Sequence, residues 1–192
     1  MQHPASTTKQ SGSSLIEVLV TVLIMAIGFL GLAGFMVKQQ QQEVDSYQRA
    51  QALLLLNDMS QRLQSNRANS ASYTTGTTNP IGVGMTCATV TGTSTIAQQD
   101  LSAWCNGLKG SAETLGTQLV GAMVGARGCV EELSPQQYAI TVAWQGMSPI
   151  SAPATASACG KDLYDGPTGS PCSNDLCRRT VTTLVRIGSL AP

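Results

Sequence analysis

The stretch KQSGSSLIEVLVTVLIMAIGFLGLAGFMV, residues 9–37, decides the N-terminal part of the fold. A single lysine precedes Gly12, and a lone carboxylate, Glu17, follows that glycine five positions later. Residues 18–37 carry no charge. At about 1.5 Å per helical residue this uncharged segment spans roughly 30 Å, the thickness of a bilayer's hydrocarbon core. We therefore predict a transmembrane helix over residues 13–37, preceded by a polar segment, residues 1–12.

Glu17 is the informative residue at the start of this helix. A carboxylate that sits deep and unpaired in a membrane segment costs about 2.5–3.5 kcal/mol on insertion scales. Such a residue usually has a partner and a purpose. The alternative is an ordinary N-terminal anchor whose glutamate merely reaches the lipid headgroups.

These residues resemble the class III signal of type IV pilins and their relatives. In that signal a short basic leader ends in glycine, and a hydrophobic helix follows with glutamate five residues past it. The resemblance implies cleavage between Gly12 and Ser13 by prepilin peptidase and N-methylation of the new N-terminus, although Ser13 stands where pilins most often have an aromatic residue. It also implies that Glu17 pairs with a neighbouring subunit's α-amine during assembly.

An ordinary secretory signal would be cut after its apolar region, and Ala33-Gly34 is a weak candidate for such a site. The residues that follow it read as uninterrupted helix, which makes a poor cleavage site. The composition excludes several other classes. The chain is neutral overall, and no basic block follows residue 12, so no nucleic-acid partner is expected.

The only histidine, His3, lies in the leader. A processed chain would then have no imidazole, which excludes Ser-His-Asp and Cys-His catalysis and any histidine metal site. The adjacent pair Glu131 and Glu132 would point to opposite faces of a strand, so it does not form an acid/base pair. We therefore expect no catalytic centre, no metal and no cofactor.

Six cysteines follow the membrane segment, and their even number on the translocated side fits disulfides. Zinc knuckles would need closely spaced pairs. Only Cys172 and Cys177 are that close, with four residues between them, whereas the next closest neighbours, Cys159 and Cys172, have twelve, so zinc is the weaker alternative. Six cysteines permit fifteen pairings. The working hypothesis is the sequential one: Cys87–Cys105, Cys129–Cys159 and Cys172–Cys177.

The N-terminal helix is predicted to continue beyond the membrane, because no proline or glycine interrupts residues 35–75. Residues 38–67 form its amphipathic half. An apolar stripe at helical spacing is expected to pack under a globular head: Ala52, Leu55, Leu56, Met59 and Leu63.

The head is predicted over residues 68–192. Residues 68–97 indicate a connecting loop, and 98–109 a short helix. Strands are predicted at 129–133, 138–146 and 178–188, the second with a single apolar face. Residues 148–177, rich in proline, glycine and serine, are expected to form a long exposed loop fastened by disulfides. The fold class is therefore α+β and pilin-like, a long helix packed on an antiparallel sheet.

The segments DLSAW, GCVEEL, YAITVAWQG and CRRTVTTLVRIG most resemble the PilV subfamily of minor pilins. That resemblance implies a filament subunit that primes assembly near the tip and supports twitching motility and surface attachment. Its implied partners are prepilin peptidase, other minor pilins, the major pilin, the inner-membrane assembly platform and a tip adhesin. The implied location is the inner membrane, with the head in the periplasm, and then the pilus fibre at the cell surface.

Three other functions remain open from the sequence. The first is a minor pseudopilin of a type II secretion system, whose N-terminus would look the same. The second is a membrane-anchored periplasmic enzyme, which would need an acid/base set that the head does not offer. The third is an uncleaved, membrane-anchored periplasmic binding module.

Overall fold

The computed structural model describes residues 14–111, 114–116, 118–119, 123–155 and 157–188. The chain forms two compact units, residues 1–42 and 43–192. The elements in chain order are helix α1 (Leu15–Ser65), a 3₁₀ helix (Arg67–Tyr73), β1 (Ile81–Gly82), α2 (Ile96–Leu108), β2 (Thr114–Leu115), β3 (Gln118–Leu119), β4 (Arg127–Ser134), β5 (Gln137–Gln145) and β6 (Arg178–Arg186).

In the first unit, the described residues belong to the N-terminal part of α1. The helix predicted from Ser13 to about Asn66 is observed from Leu15 to Ser65. Its large apolar side chains between Leu15 and Val37 are 48–81% exposed, so this part of the chain does not bury them. By length and composition, α1 is the one helix among the described residues that is able to cross a membrane.

In the second unit, the remainder of α1 packs on the head through the predicted stripe. Ala52, Leu56, Met59 and Leu63 are buried, and Leu55 packs against the same core. Leu53 and Leu54 lie off the stripe and are exposed. The helical periodicity of the apolar residues therefore predicted the packed face correctly.

The head contains a four-stranded antiparallel sheet in the order β1-β4-β5-β6, and β2 pairs with β3 in a separate hairpin. The three strands predicted from the sequence are β4, β5 and β6. The chain turns between β4 and β5 at Pro135 and Gln136, and Gln136 adopts a left-handed backbone conformation with φ of 65°. The connecting loop predicted over residues 68–97 also contains regular structure, because most of the 3₁₀ helix and all of β1 lie within it.

Helix α2 begins two residues earlier than predicted because Thr95 caps it. The Thr95 hydroxyl accepts a hydrogen bond from the Gln98 amide, and the Gln98 side chain accepts one from the Thr95 amide. Trp104 is fully buried and donates its indole N–H to the carbonyl of Leu55 on α1 at 2.9 Å. A Cβ at Gly128 on β4 would overlap the Trp104 ring, so the glycine lets α2 approach the sheet.

One side of the sheet, the helix-covered face, packs against α1 and α2. Its central side chains join Trp104 and the α1 stripe in one hydrophobic core; they are Val130, Tyr138, Ile140, Val142, Trp144 and Val185. The residues alternate along each strand, as expected for a sheet that buries a continuous apolar face.

The opposite side, the loop-covered face, is also buried, which corrects two predictions. Ala139, Thr141 and Ala143 of β5 are at most 8% exposed, although the alternation of residues predicted an apolar face only on the other side of the strand. Cys159 and Tyr164, from the segment predicted to be a long exposed loop, pack against Cys129 and Ala143. The segment 148–177 is therefore in part a cover for the sheet, because its buried residues pack on the face for which the sequence pattern predicted no apolar surface.

Candidate processing and assembly site

The predicted processing residues, Gly12 and Ser13, and the predicted leader, residues 1–12, lie outside the described residues. The carbonyl of Ser14 accepts hydrogen bonds from the amides of Glu17 at 2.9 Å and Val18 at 3.4 Å. Glu17 therefore sits in the first turn of α1. A carboxylate there interacts favourably with the unpaired amides and the positive end of the helix dipole.

Glu17 differs from the other polar side chain of this part of the helix. The Thr21 hydroxyl donates a hydrogen bond to the carbonyl of Val18 at 2.9 Å, so the helix itself satisfies it. Glu17 is exposed and, within the described part of the chain, its carboxylate forms no ion pair. Its neighbours Leu15, Ile16 and Val18 are apolar and 52–81% exposed. The carboxylate is thus available to a cation from another molecule.

The structure contains the three disulfides Cys87–Cys105, Cys129–Cys159 and Cys172–Cys177, which leaves no free cysteine. This is the sequential pairing, and the expectation of three disulfides is confirmed. The first joins the segment after β1 to α2, the second joins β4 to the cover of the sheet, and the third closes a short loop before β6. No group of potential metal ligands occurs among the described histidine, cysteine, aspartate and glutamate residues.

A buried ion pair fixes the cover where it enters β6. Arg178 and Asp175 lie 3.1 Å apart, with side chains 3% and 8% exposed. The same guanidinium donates to the carbonyls of Ser157 at 2.6 Å and Cys159 at 3.0 Å. Sequence reasoning missed this site, because adjacent arginines at the start of a strand give no sign that one is buried.

Asp175 also organises the loop through its second carboxylate oxygen. It accepts a hydrogen bond from the amide of Asp162 at 2.9 Å, while the Asp175 amide donates to Asp165 at 2.8 Å. Asp162, Asn174 and Asp175 have left-handed backbone conformations, with φ of 54–62°. Asp and Asn adopt this region more readily than other non-glycine residues, which explains why they occur at these bends.

A second polar cluster joins α1, the 3₁₀ helix and α2. Arg62 contacts Asp58 at 2.9 Å and Asp100 at 2.8 Å. The fully buried Tyr73 donates its hydroxyl hydrogen to Asp100 and accepts one from Asn66 at 3.2 Å. Burial, followed by the hydrogen bond to Asp100, raises the pKa of Tyr73 to about 12.

The two polar clusters hold packed elements together, since the aspartates at their centres are paired with arginines. Helical spacing of Asp58 and Arg62 (i, i+4) was readable from the sequence. The pairing of Arg62 with Asp100 was not readable from the sequence, because Asp100 lies on α2, far from Arg62 along the chain.

In comparison with protein families, residues 7–33 match the prokaryotic N-terminal methylation motif. No curated protein and no solved structure matches the chain. The matched segment contains Gly12, Ser13 and Glu17 and covers the start of α1. Residues 7–33 therefore carry the N-terminal methylation motif of prokaryotic pilin-type proteins, which indicates a type IV pilin-like or pseudopilin-like protein.

Proposed function

We propose that this chain is a minor pilin of a type IV pilus, most like the PilV subfamily. Prepilin peptidase cleaves it between Gly12 and Ser13, and the helix holds it in the inner membrane with the head in the periplasm. It is then incorporated near the filament tip, where it helps to prime assembly and supports twitching motility and surface attachment. The observation that supports the pilin-type part of the proposal is the methylation motif over residues 7–33, and the minor-pilin role rests on the resemblance of the head segments.

The role of Glu17 follows from the cost of its charge. Cleavage creates a cationic α-amine on Ser13, and parallel packing of helices brings one subunit's Glu17 close to a neighbour's amine. Two charges that are costly to bury separately then form a pair, whose net contribution to stability is small. Its main effect is to select the axial register at which subunits pack.

The partners in this proposal are prepilin peptidase, the other minor pilins, the major pilin, the inner-membrane assembly platform and a tip adhesin. The exposed apolar side chains between Leu15 and Val37 support a helix that is covered first by lipid and then by neighbouring helices. The disulfides support a head that matures in an oxidising compartment.

The test of the proposal compares Glu17→Val with Glu43→Val, a matched loss of an exposed α1 carboxylate outside the apolar segment. Both variants are expected to reach the membrane at wild-type levels and to be processed. Only Glu17→Val should lose incorporation into sheared pilus fibres, by at least tenfold, as measured by quantitative immunoblotting.

Wild-type incorporation of Glu17→Val would contradict the pairing role. Absence of the wild-type protein from pilus fibres, together with its presence in secretion pseudopili, would favour the alternative of a minor pseudopilin. Recovery of the protein from the cell membrane with residues 1–12 still attached would favour the alternative of an uncleaved binding module.

A further inference from the structure

The two edge strands of the four-stranded sheet differ in length and in how far the rest of the chain hydrogen-bonds to the backbone at the edge. The first edge carries β1, only two residues long, and the adjoining part of β4 is capped by the chain itself. The Val130 carbonyl accepts hydrogen bonds from the amides of Thr75 at 2.9 Å and Gly76 at 3.0 Å, and the Val130 amide donates to the Thr75 hydroxyl at 2.9 Å. Short edge strands and local caps prevent further strand pairing.

The second edge, β6, has no such cap. It runs for nine residues in unbroken register with β5, without a bulge, and it lies at the end of the sheet. Its sequence, RRTVTTLVR, contains no proline, lysine or glycine. Apart from the charge of its arginines, it therefore lacks the features with which sheets usually protect a long edge, namely proline, a bulge or short length.

The register shows which backbone groups of β6 point away from the sheet. The Ile187 amide donates to the Gln136 carbonyl, and the Cys177 carbonyl accepts from the Gly146 amide, each at 2.8 Å. In an antiparallel ladder the direction of the backbone groups alternates along the strand. The amides and carbonyls of Thr180, Thr182, Leu184 and Arg186 therefore point outward, and none of these groups bonds to another described residue.

Two of these residues, Thr182 and Leu184, lie beside a cleft on the loop-covered face. The cleft has a volume of about 320 Å³ and is bordered by Leu133, Leu184 and Thr182. Leu133 and Leu184 are 51% and 61% exposed. The Ser157 hydroxyl oxygen, in the cleft wall, is buried and has no hydrogen-bond partner among the described residues.

We propose that β6 is a docking edge, to which an extended segment of a different protein adds as a fifth strand. Main-chain hydrogen bonds to the four outward-facing residues supply affinity, and alternate side chains of the added strand enter the cleft and supply specificity. An apolar side chain covers Leu184, and a polar group reaches the Ser157 hydroxyl.

Charge selects this occupant over a second copy of the chain. Strand β6 contains no acidic residue, and of its three arginines only Arg178 is ion-paired with a described carboxylate, so pairing two copies would bring four further cations together. Arg186 is exposed and forms no ion pair within the described part of the chain. The segment that fits is therefore extended, with an apolar residue beside Leu184 and a carboxylate beside Arg186. This inference does not depend on the filament role.

The test uses the full chain in the cells that produce it, with the photo-cross-linker p-benzoylphenylalanine placed at Leu184 or at Thr182. Mass spectrometry maps the cross-linked peptides. We expect both probes to label one extended segment of a single different protein, with the labelled position moving by about two residues between probes.

Thr180→Pro removes an outward amide without removing a β5–β6 hydrogen bond, and Thr180→Ala is its matched control. We expect at least a tenfold loss of cross-linking from Leu184 with proline and none with alanine. The melting temperature checks that Thr180→Pro folds; if it does not, Arg186→Glu replaces it and should lower cross-linking at least fivefold. Cross-links to another copy of this chain, no cross-link, or cross-linking indifferent to a folded proline variant or to Arg186→Glu would overturn the proposal.

Discussion

The two faces of the central sheet are covered by different means. The helix-covered face is packed by a long amphipathic helix and by α2, through large apolar side chains that form a single core. The loop-covered face is closed by a segment with no helix or strand among its described residues, through a disulfide, a buried ion pair and the ring of Tyr164. The spacing of apolar residues in the sequence predicts the packing of the helix-covered face, because helices and strands repeat their buried positions at regular intervals.

The loop cover is held by a few specific contacts, whereas the helices are held by the packing of large apolar side chains. Tyr164 donates its hydroxyl hydrogen to the Gly125 carbonyl at 2.9 Å, and the Arg127 guanidinium lies 4.9 Å from the centre of its ring. Burial raises the pKa of Tyr164. With so few contacts, loss of any single one should have a large effect on the loop-covered face, which the following predictions test.

The largest effect is expected for Arg178→Leu. The substitution leaves Asp175 buried without its cation, and breaking a buried pair in this way costs about 3–5 kcal/mol of unfolding free energy. Chemical unfolding of the purified protein in detergent measures it. The control is Lys161→Ala, which removes an ion pair whose side chains are 65% and 69% exposed and should change stability by less than about 1 kcal/mol. Equal effects for the two variants would show that the pair does not hold the cover.

Two disulfides test the same comparison. Cys129–Cys159 joins the sheet to the segment that covers it, whereas Cys172–Cys177 closes a short loop within that segment. Replacing Cys129 and Cys159 together with alanine should cost about 2–4 kcal/mol. Replacing Cys172 and Cys177 together should cost about 1.5 kcal/mol less, because that bridge closes a much shorter loop, five residues against 30 in sequence separation. The melting temperatures of the two double variants decide the order, and the reverse order would contradict this account of the cover.

The smallest effect concerns Tyr73, on the helix side. Tyr73→Phe should cost about 1 kcal/mol near neutral pH, since it removes the hydrogen bond to Asp100. The pKa of Tyr73 in the folded protein, about 12, lies above its ordinary value of 10, so the stabilising effect is complete below pH 10. It should fall by up to about 1.4 kcal/mol per pH unit as the pH rises from 10 toward 12. A difference between wild type and Tyr73→Phe that does not change with pH would contradict the burial of a neutral phenol.

The sequence predicted α1, its buried stripe, α2, the three long strands and the presence of three disulfides. Each of these depends on a local or periodic pattern of residues. The sequence did not predict the cover of the second face, because Arg178, Asp175 and Ser157 come together only through the fold. Nor did it predict β1, since two residues of strand leave no periodic signal, or Asp100 as a partner of Arg62. The open edge at β6 likewise became visible only once the order of strands was known.

The central claim is that the chain is a processed pilin-type subunit, and the mass of its native N-terminus tests this most directly. Mass spectrometry of the protein isolated from its own cells should find a mature chain that begins at Ser13 and lacks residues 1–12, with a further 14 Da where the amine is methylated. Loss of prepilin peptidase should restore the longer chain. A native protein that retains Met1, or one cut after Ala33, would contradict the account.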